Sequence, residues 1–400
     1  MLAPRRENFV CMRARVPLRL HRPLPAQMRL LLAVALHVTW LVPSEARERE
    51  AHPVPINGQP RKGTGLVADD RPCRPDWLLH LSDEENAERW KQRVPRRILD
   101  ALTFHRRPFL SQHYQDPLMQ RVFRCVKTTN QFFVEFGFNE PGYAVGSQIP
   151  GAPKGVFGSS GSQTHMLYEL GWRGLLLDGG QQNASINLHR HFLFQSNVAG
   201  IFTQHAVPKQ LDFLSVDMDS HDLFVLRAIF LGGWRPRLFS AEFNRNYGSQ
   251  RHPLTLLDPT LETGGVPRDY VFTYSNCSWG TSAAALALVA QEFGYTLIAR
   301  VVGLDLFFLR DDLIAGKPVR NWTQIFDGLA TPTKTQRGQL KTSDPAILKR
   351  LVDYDVYRKT GSVKVAVAAG GALLKKHFRH AVCWQSIFHQ RSSTSAPLVT

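Results

Sequence analysis

An α/β fold built on a doubly wound sheet is what this chain predicts, and three observations predict it. Short apolar runs alternate with segments of helical period between Gln131 and Asp312. The runs are nearly continuous, as strands buried on both faces require. A glycine turn follows the first of them, Val134 to Asn139. The strand candidates are FFVEFG, GLLLDGG, LDFLSVDMD, RPRLFSAEF and a late pair, YTLIARVV and LDLFFLR. The Ala-rich stretch Ser282 to Phe293 precedes that pair and reads as the last helix of the sheet.

The flanks divide differently. Residues 1–46 carry seven Arg against Glu7 and Glu45, an apolar stretch from Leu30 to Val42, and a small-x-small site at Ser44 and Ala46. Those are the parts of a secretory signal, with Met28 as an alternative start. An Arg-rich, acid-poor leader also suits organelle import, to a plastid or mitochondrion, which is the alternative. Residues 47–75, rich in Pro, Gly and charge, read as a disordered linker. Residues 76–130 form a helical extension, opened by a capping box at Ser82–Glu85 and given an apolar face by Trp90, Val94, Ile98 and Leu102. The α/β core occupies 131–312. Residues 313–400 are basic and partly helical, with Gly370 and Gly371 weakening the last helix and a disordered end over the final ten residues.

The formal charge of +16 sits at these ends: +5 over residues 1–46 and +9 over 331–400, which leaves +2 for 47–330. A nucleic-acid enzyme carries its basic footprint around the working cleft, so nucleic acid is excluded as partner. The basic tail suits an acidic polysaccharide or a membrane surface instead. Sequons at Asn183, Asn276 and Asn321 agree with secretion. Five scattered cysteines make neither a disulfide framework nor a zinc site, and at most Cys73 pairs with Cys125. Nothing in the sequence sets the oligomeric state.

In a doubly wound sheet the first strand ends in a turn whose glycine brings backbone N–H groups close to a nucleoside cofactor. Glu135, Gly137 and Asn139 have that form. The second strand should end in an acid that takes the ribose hydroxyls, about 20 residues further on. Asp178 lies 41 residues past Gly137, and removing the Pro/Gly-rich insertion 140–157 leaves 23. The helix after the turn then starts near Gly161 and runs through His165 to Leu170, which puts Ser162 and Thr164 at the cofactor mouth. Asp178 also heads a strong turn former, Asp-Gly-Gly.

LDFLSVDMDSHD delivers Asp217, Asp219, His221 and Asp222 to the carboxyl end of a buried strand, where open α/β sheets bind ligands. His221 is the expected general base for an acceptor hydroxyl, with Asp217 or Asp219 orienting it. A plainer reading has Asp219 and Asp222 capping the next helix and His221 in solvent. Glu242 reaches the same rim from the neighbouring strand, followed by Asn244 and Asn246. Glu242 and Asn244 are the expected acceptor contacts.

These stretches resemble the FkbM-like branch of S-adenosylmethionine-dependent methyltransferases, including eukaryotic microbial relatives in which GWRGLLLDG recurs. The likeness rests on VEFGFN, LSVDMDSHDLFVL and PRLFSAEF, in that order over residues 131–312. It implies a Rossmann-like class I methyltransferase sheet with helices on both faces and S-adenosyl-L-methionine as cofactor. It also implies O-methylation of a hydroxyl on a sugar, glycan or secondary metabolite. No metal ligand is expected among the site residues, and the sequence does not set a metal requirement. Asp219 and Ser220 stand where bacterial members have Glu-Gly, and the 140–157 insertion splits turn from helix. Two alternatives remain. Asp217-x-Asp219 would bind Mn²⁺ and a nucleotide diphosphate in a glycosyltransferase. A secreted, non-catalytic binding protein on a degenerate methyltransferase fold is the other.

Overall fold

The computed structural model describes residues 90–138, 162–244, 252–265, 279–314 and 350–377, apart from short breaks, and a few residues besides. The targeting segment, the linker, the Ser82–Glu85 capping box, Asn139, the 140–157 insertion, Asn246 and the last ten residues lie outside the described residues.

Helices α1 (Arg96–His105) and α2 (Gln115–Cys125) precede the sheet. The chain continues through β1 (Phe132–Phe136), α3 (His165–Glu169), β2 (Arg173–Asp178), β3 (Leu188–Arg190), α4 (Val198–Gln204), β4 (Phe213–Val216) and α5 (Asp222–Leu231). Next come β5 (Leu238–Glu242), β6 (Leu254–Leu256), α6 (Thr260–Thr263), α7 (Ala283–Glu292), β7 (Tyr295–Arg300) and β8 (Asp305–Arg310). Beyond them lie β9 (Arg337–Gln339), β10 (Leu351–Asp353), α8 (Tyr354–Thr360), α9 (Val363–His377) and β11 (Val382–Trp384).

Seven strands form one sheet in the order β3-β2-β1-β4-β5-β8-β7. Pairing is parallel from β3 through β5, and β8 runs antiparallel to both its neighbours. From β1 the chain moves outward to β2 and β3, then returns to place β4 on the other side of β1. The crevice of this switch point opens beyond the carboxyl ends of β1 and β4. This is the doubly wound, Rossmann-like sheet expected, and all six predicted strands are in it. The edge strand β3 was not predicted, because three residues carry too little periodicity.

Alternation along the strands divides the core in two. Val134, Leu175, Leu214 and Phe239 pack on α4, α5 and α7. Phe133, Leu176, Phe213 and Leu238 face the opposite way, onto α1, α2 and α3. The buried Asp212 carboxylate accepts the N–H groups of Thr129 at 2.7 Å, Asn130 at 2.9 Å and Gln131 at 2.7 Å, which fixes the approach to β1. Ser282 caps α7 by accepting from Ala285 N–H.

Two expectations change in the flanks. Trp90, Val94, Ile98 and Leu102 share one core but not one helix. Pro95 has no N–H to donate, and its carbonyl accepts from Ile98 at 2.9 Å, so α1 begins at Arg96. The Gly370–Gly371 pair is more than a weak point in α9. A Cβ at Gly370 would stand 2.6 Å from the carbonyl oxygen of Leu351, so glycine lets the helix lie directly on β10. Gly370→Val should therefore push α9 away and cost about 1–3 kcal/mol. Thermal unfolding followed by circular dichroism would read this as a lowered midpoint.

Cys125 is disulfide-bonded; Cys73, its expected partner, lies outside the described residues. No helix among the described residues is long and apolar enough to cross a membrane.

Candidate cofactor and acceptor site

A cavity of about 610 Å³ opens at the carboxyl ends of β1, β2 and β4, walled by Gly137, Asp178, Phe192, Asp217, Asp219 and His221 among others. Gly137 donates its N–H to Leu177 at 3.0 Å and holds a left-handed φ of +71°. A Cβ there would meet the Asp217 carbonyl oxygen at 1.7 Å. Only glycine lets the two strand ends come this close.

Glu135 serves the turn from behind. Its carboxylate accepts from Ser162 Oγ at 2.5 Å, Gln163 N–H at 2.8 Å, and Thr164 N–H and Oγ1 at 3.2 and 2.5 Å. The chain thus returns beside the turn after the insertion, and α3 starts at His165 rather than near Gly161, because residues 162–164 are held by the Glu135 carboxylate. Burial raises the Glu135 carboxyl above its ordinary range, against the lowering effect of these bonds. The hydroxyls of Ser162 and Thr164, expected to face a cofactor, are donors to Glu135; Thr164 is fully buried.

Asp178 closes β2, and its Oδ1 accepts the N–H groups of Gly180 at 2.7 Å and Gln181 at 2.8 Å. The carboxylate therefore builds the Asp-Gly-Gly turn while it lines the cavity. Phe192, 51% exposed, lies over this turn. A Cβ on Gly179 would be 2.8 Å from its ring, so the glycine is what lets the phenyl settle there. Neither His191 nor Phe192 was singled out in the sequence, where NLHRHFLF shows no clean period.

The loop after β4 is tied by Asp222, which accepts from Met218 N–H at 2.6 Å and Ser220 N–H at 2.9 Å. Asp222 stands inside α5 and braces the loop, and the residue at the helix cap is His221. Asp219 holds a left-handed φ of 56° within that loop. His221 is buried at 2% exposure, which removes the solvated reading. Its Nε2 donates to the Leu193 carbonyl at 2.9 Å, and its ring stacks on Phe194 with centroids 5.1 Å apart. The carboxylate beside that Nε2 is Asp258, at 3.8 Å, and not Asp217 or Asp219 as expected. Asp258 is itself held by Thr260 N–H, Thr260 Oγ1 and Gln195 N–H. It follows His221 by 37 residues, and no motif pointed to it.

Asp217, Asp219 and Glu242 each place a carboxylate oxygen within 4.8 Å of the others. Register explains part of this. Val216 pairs Ala241, so Asp217 follows beside Glu242, and Glu242 pairs Asp305 on β8. Three neighbouring strands thus carry a row of acids on one face. Burial pushes Asp217 and Glu242 well above the ordinary carboxylate range, and the neighbouring acids push them further. Asp305 is raised to about 6 by burial, although Gln115 and Gln163 each donate to its Oδ2 at 3.0 Å. Its Oδ1 is buried with no hydrogen-bond partner. Asn244 is differently employed: its backbone N–H donates to Thr281 and its side-chain amide to Trp279, so it clamps residues 279–281.

No protein-family model matches the chain, and no curated protein does. Among solved structures it is similar to the MycE methyltransferase from the mycinamycin biosynthetic pathway in complex with Mg and SAH, with 16% identity, 57% of this chain and 58% of that one covered, and a TM-score of 0.31. The complex of that enzyme with Mg, SAH and mycinamycin VI gives 15%, 60%, 67% and 0.33 for the same quantities. The likeness is partial, and what this chain can do is carried by its own sheet order and side chains.

Proposed function

We propose that the chain is an S-adenosylmethionine-dependent methyltransferase of FkbM-like kind, transferring methyl to a hydroxyl of a small molecule or glycan. One observation carries this reading over the glycosyltransferase. Among the described residues, acids line the cavity and no Lys or Arg does. Such a wall suits a sulfonium cation and disfavours a nucleotide diphosphate. In this reading the close approach at Gly137 shapes the bed of the cofactor, and Asp178, which lines the same cavity, takes the ribose hydroxyls.

The cofactor supplies an electrophilic methyl group on sulfur. The chain must hold an acceptor hydroxyl in line and take its proton. His221 serves as the base. With Nε2 donating to Leu193, the proton-accepting nitrogen of the neutral ring is Nδ1. Asp258, beside Nε2, stabilises the imidazolium formed on proton transfer. Asp217, Asp219 and Glu242 fit an oxygen-preferring divalent cation such as Mg²⁺: their donors are hard, and Asp305 adds a buried, unbonded oxygen behind Glu242. Such an ion would offset the crowded charge, and these residues would present it to acceptor oxygens. The expected metal-free site gives way, in this reading, to a cation-dependent one.

Passage through the secretory pathway is part of the proposal, and the disulfide at Cys125 supports it, since such bonds persist in oxidising compartments. The basic C-terminal segment would contact acidic polysaccharide or membrane there.

Calorimetry with S-adenosylhomocysteine tests the reading. Wild type should bind, Asp178→Ala should bind about tenfold more weakly, and His221→Gln should bind normally while transfer falls by about 100-fold or more. Equal affinity in wild type and Asp178→Ala removes the site assignment. Stabilisation by UDP with Mn²⁺, and none by S-adenosylhomocysteine, returns the glycosyltransferase.

A further inference from the structure

Three imidazoles gather beside the cavity, outside the residues assigned above to methyl transfer. His189 and His191 are two residues apart at the end of β3, so an extended chain projects them to one side. His205 closes α4. The ring centroids of His189 and His205 lie 4.2 Å apart, and those of His191 and His205 5.2 Å. His191 Nε2 and His205 Nε2 stand 3.0 Å apart. Two nitrogens bound to one tetrahedral zinc-like ion are about 3.3 Å apart, so this pair is close to the spacing of a shared ion.

The third ring is oriented from outside. His189 Nε2 lies 2.9 Å from Asn187 Oδ1, and the Asn187 amide donates to the Gly174 carbonyl at 2.6 Å. Since that amide nitrogen is the donor, Oδ1 is the acceptor, and the His189 Nε2 carries the proton. Its Nδ1 is then the lone-pair nitrogen, the arrangement in which metal-binding histidines are commonly held. Burial lowers the basicity of all three rings, so they are neutral at pH 7, the ligating form.

We propose that His189, His191 and His205 bind a divalent ion of borderline softness, Zn²⁺ by its chemistry, with water completing the sphere. Among the described residues, the only three donors already within 4.8 Å of one another are those of Asp217, Asp219 and Glu242, so closure here takes a movement of the His189 ring toward the His191–His205 pair. The proton shared between His191 and His205 moves to the Nδ1 of its own ring, and both Nε2 lone pairs meet the metal. No proton is lost. His191 also donates its N–H to the Asp178 carbonyl at 2.8 Å and lines the cavity, so the ion would brace the wall that carries Asp178. Hard carboxylates favour Mg²⁺, and imidazoles favour zinc-like ions, so the two sites separate by metal type.

The test titrates untagged, metal-stripped full chain with Co²⁺ in millimolar Mg²⁺, which occupies the carboxylates, and follows visible absorbance and heat. One equivalent should bind with the intense bands of a tetrahedral ion, and Zn²⁺ should displace it. His205→Ala should weaken binding about tenfold or more, and Glu242→Gln should leave it unchanged. Because His205 ends a helix, His191→Ala provides a second loss that does not depend on that cap. Unchanged affinity in both histidine variants, loss in Glu242→Gln, or no Co²⁺ binding overturns the proposal. None of these readouts involves methyl transfer or the adenosyl cofactor, so failure here and failure of the methyltransferase reading are distinct results.

Discussion

Gly137→Ala is expected to abolish measurable S-adenosylhomocysteine binding and to lower the thermal midpoint by several degrees. Two costs combine. An alanine at φ +71° adopts a left-handed conformation, worth about 1–2 kcal/mol. Its Cβ would also stand 1.7 Å from the Asp217 carbonyl oxygen, an overlap that packed structure relieves only by moving, at about 1–3 kcal/mol more. The movement available is a parting of β1 and β4 at their carboxyl ends, where the cavity lies. Gly171→Ala is the matched control, because Gly171 has φ +84° and nothing within 4 Å of its added Cβ. It should show the conformational cost in thermal unfolding and keep its affinity in calorimetry. Lost affinity in both variants, or in neither, would refute a role for close strand approach in cofactor binding.

How much of this was legible depends on the range of the interaction. Strands buried on both faces are apolar almost throughout, so FFVEF, LLLD and LDFLSV announce themselves without any knowledge of their neighbours. Gly137 and Asp178 were found because a turn glycine and a strand-end acid follow from local backbone geometry. Roles set by tertiary partners were not legible. Ser162 and Thr164 sit where the motif spacing puts them, yet their hydroxyls point to Glu135, whose need for donors appears only once β1 is buried. Asn244 follows Glu242 by two residues and reads as part of the same rim, but its amide is taken by Trp279. Asp258 and Asp305 reach the site from distant segments, and neither lies in a motif. Asp305 left the only trace: an acid heading an otherwise apolar strand, LDLFFLR.

That acid row makes the second large prediction, with a definite sign in pH. Asp217, Glu242 and Asp305 all hold their protons to higher pH in the folded chain than the ordinary carboxylate range allows. Unfolded carboxyls release theirs near pH 4. Above that these three groups bind more protons in the native state than in the unfolded one, so their contribution to stability is greatest below about pH 4 and falls as pH rises; for Asp305 the loss runs to about pH 6. Glu242→Gln removes one member of the row. At pH 4 its midpoint should match wild type, and at pH 7.5 it should exceed wild type by about 2–4 °C for each kcal/mol relieved. A divalent cation should do for wild type what the substitution does for the variant. Mg²⁺ at 100 times its Kd adds about 2.7 kcal/mol, which should flatten the wild-type pH curve and leave that of Glu242→Gln nearly unmoved. The variant should therefore be the more stable protein at neutral pH and, under the proposed function, the less active one, because the charge that strains the fold is the charge that would hold the ion. A variant less stable than wild type at pH 7.5, with the same response to Mg²⁺, would mean that Glu242 is a structural acid and the row is not a cation site.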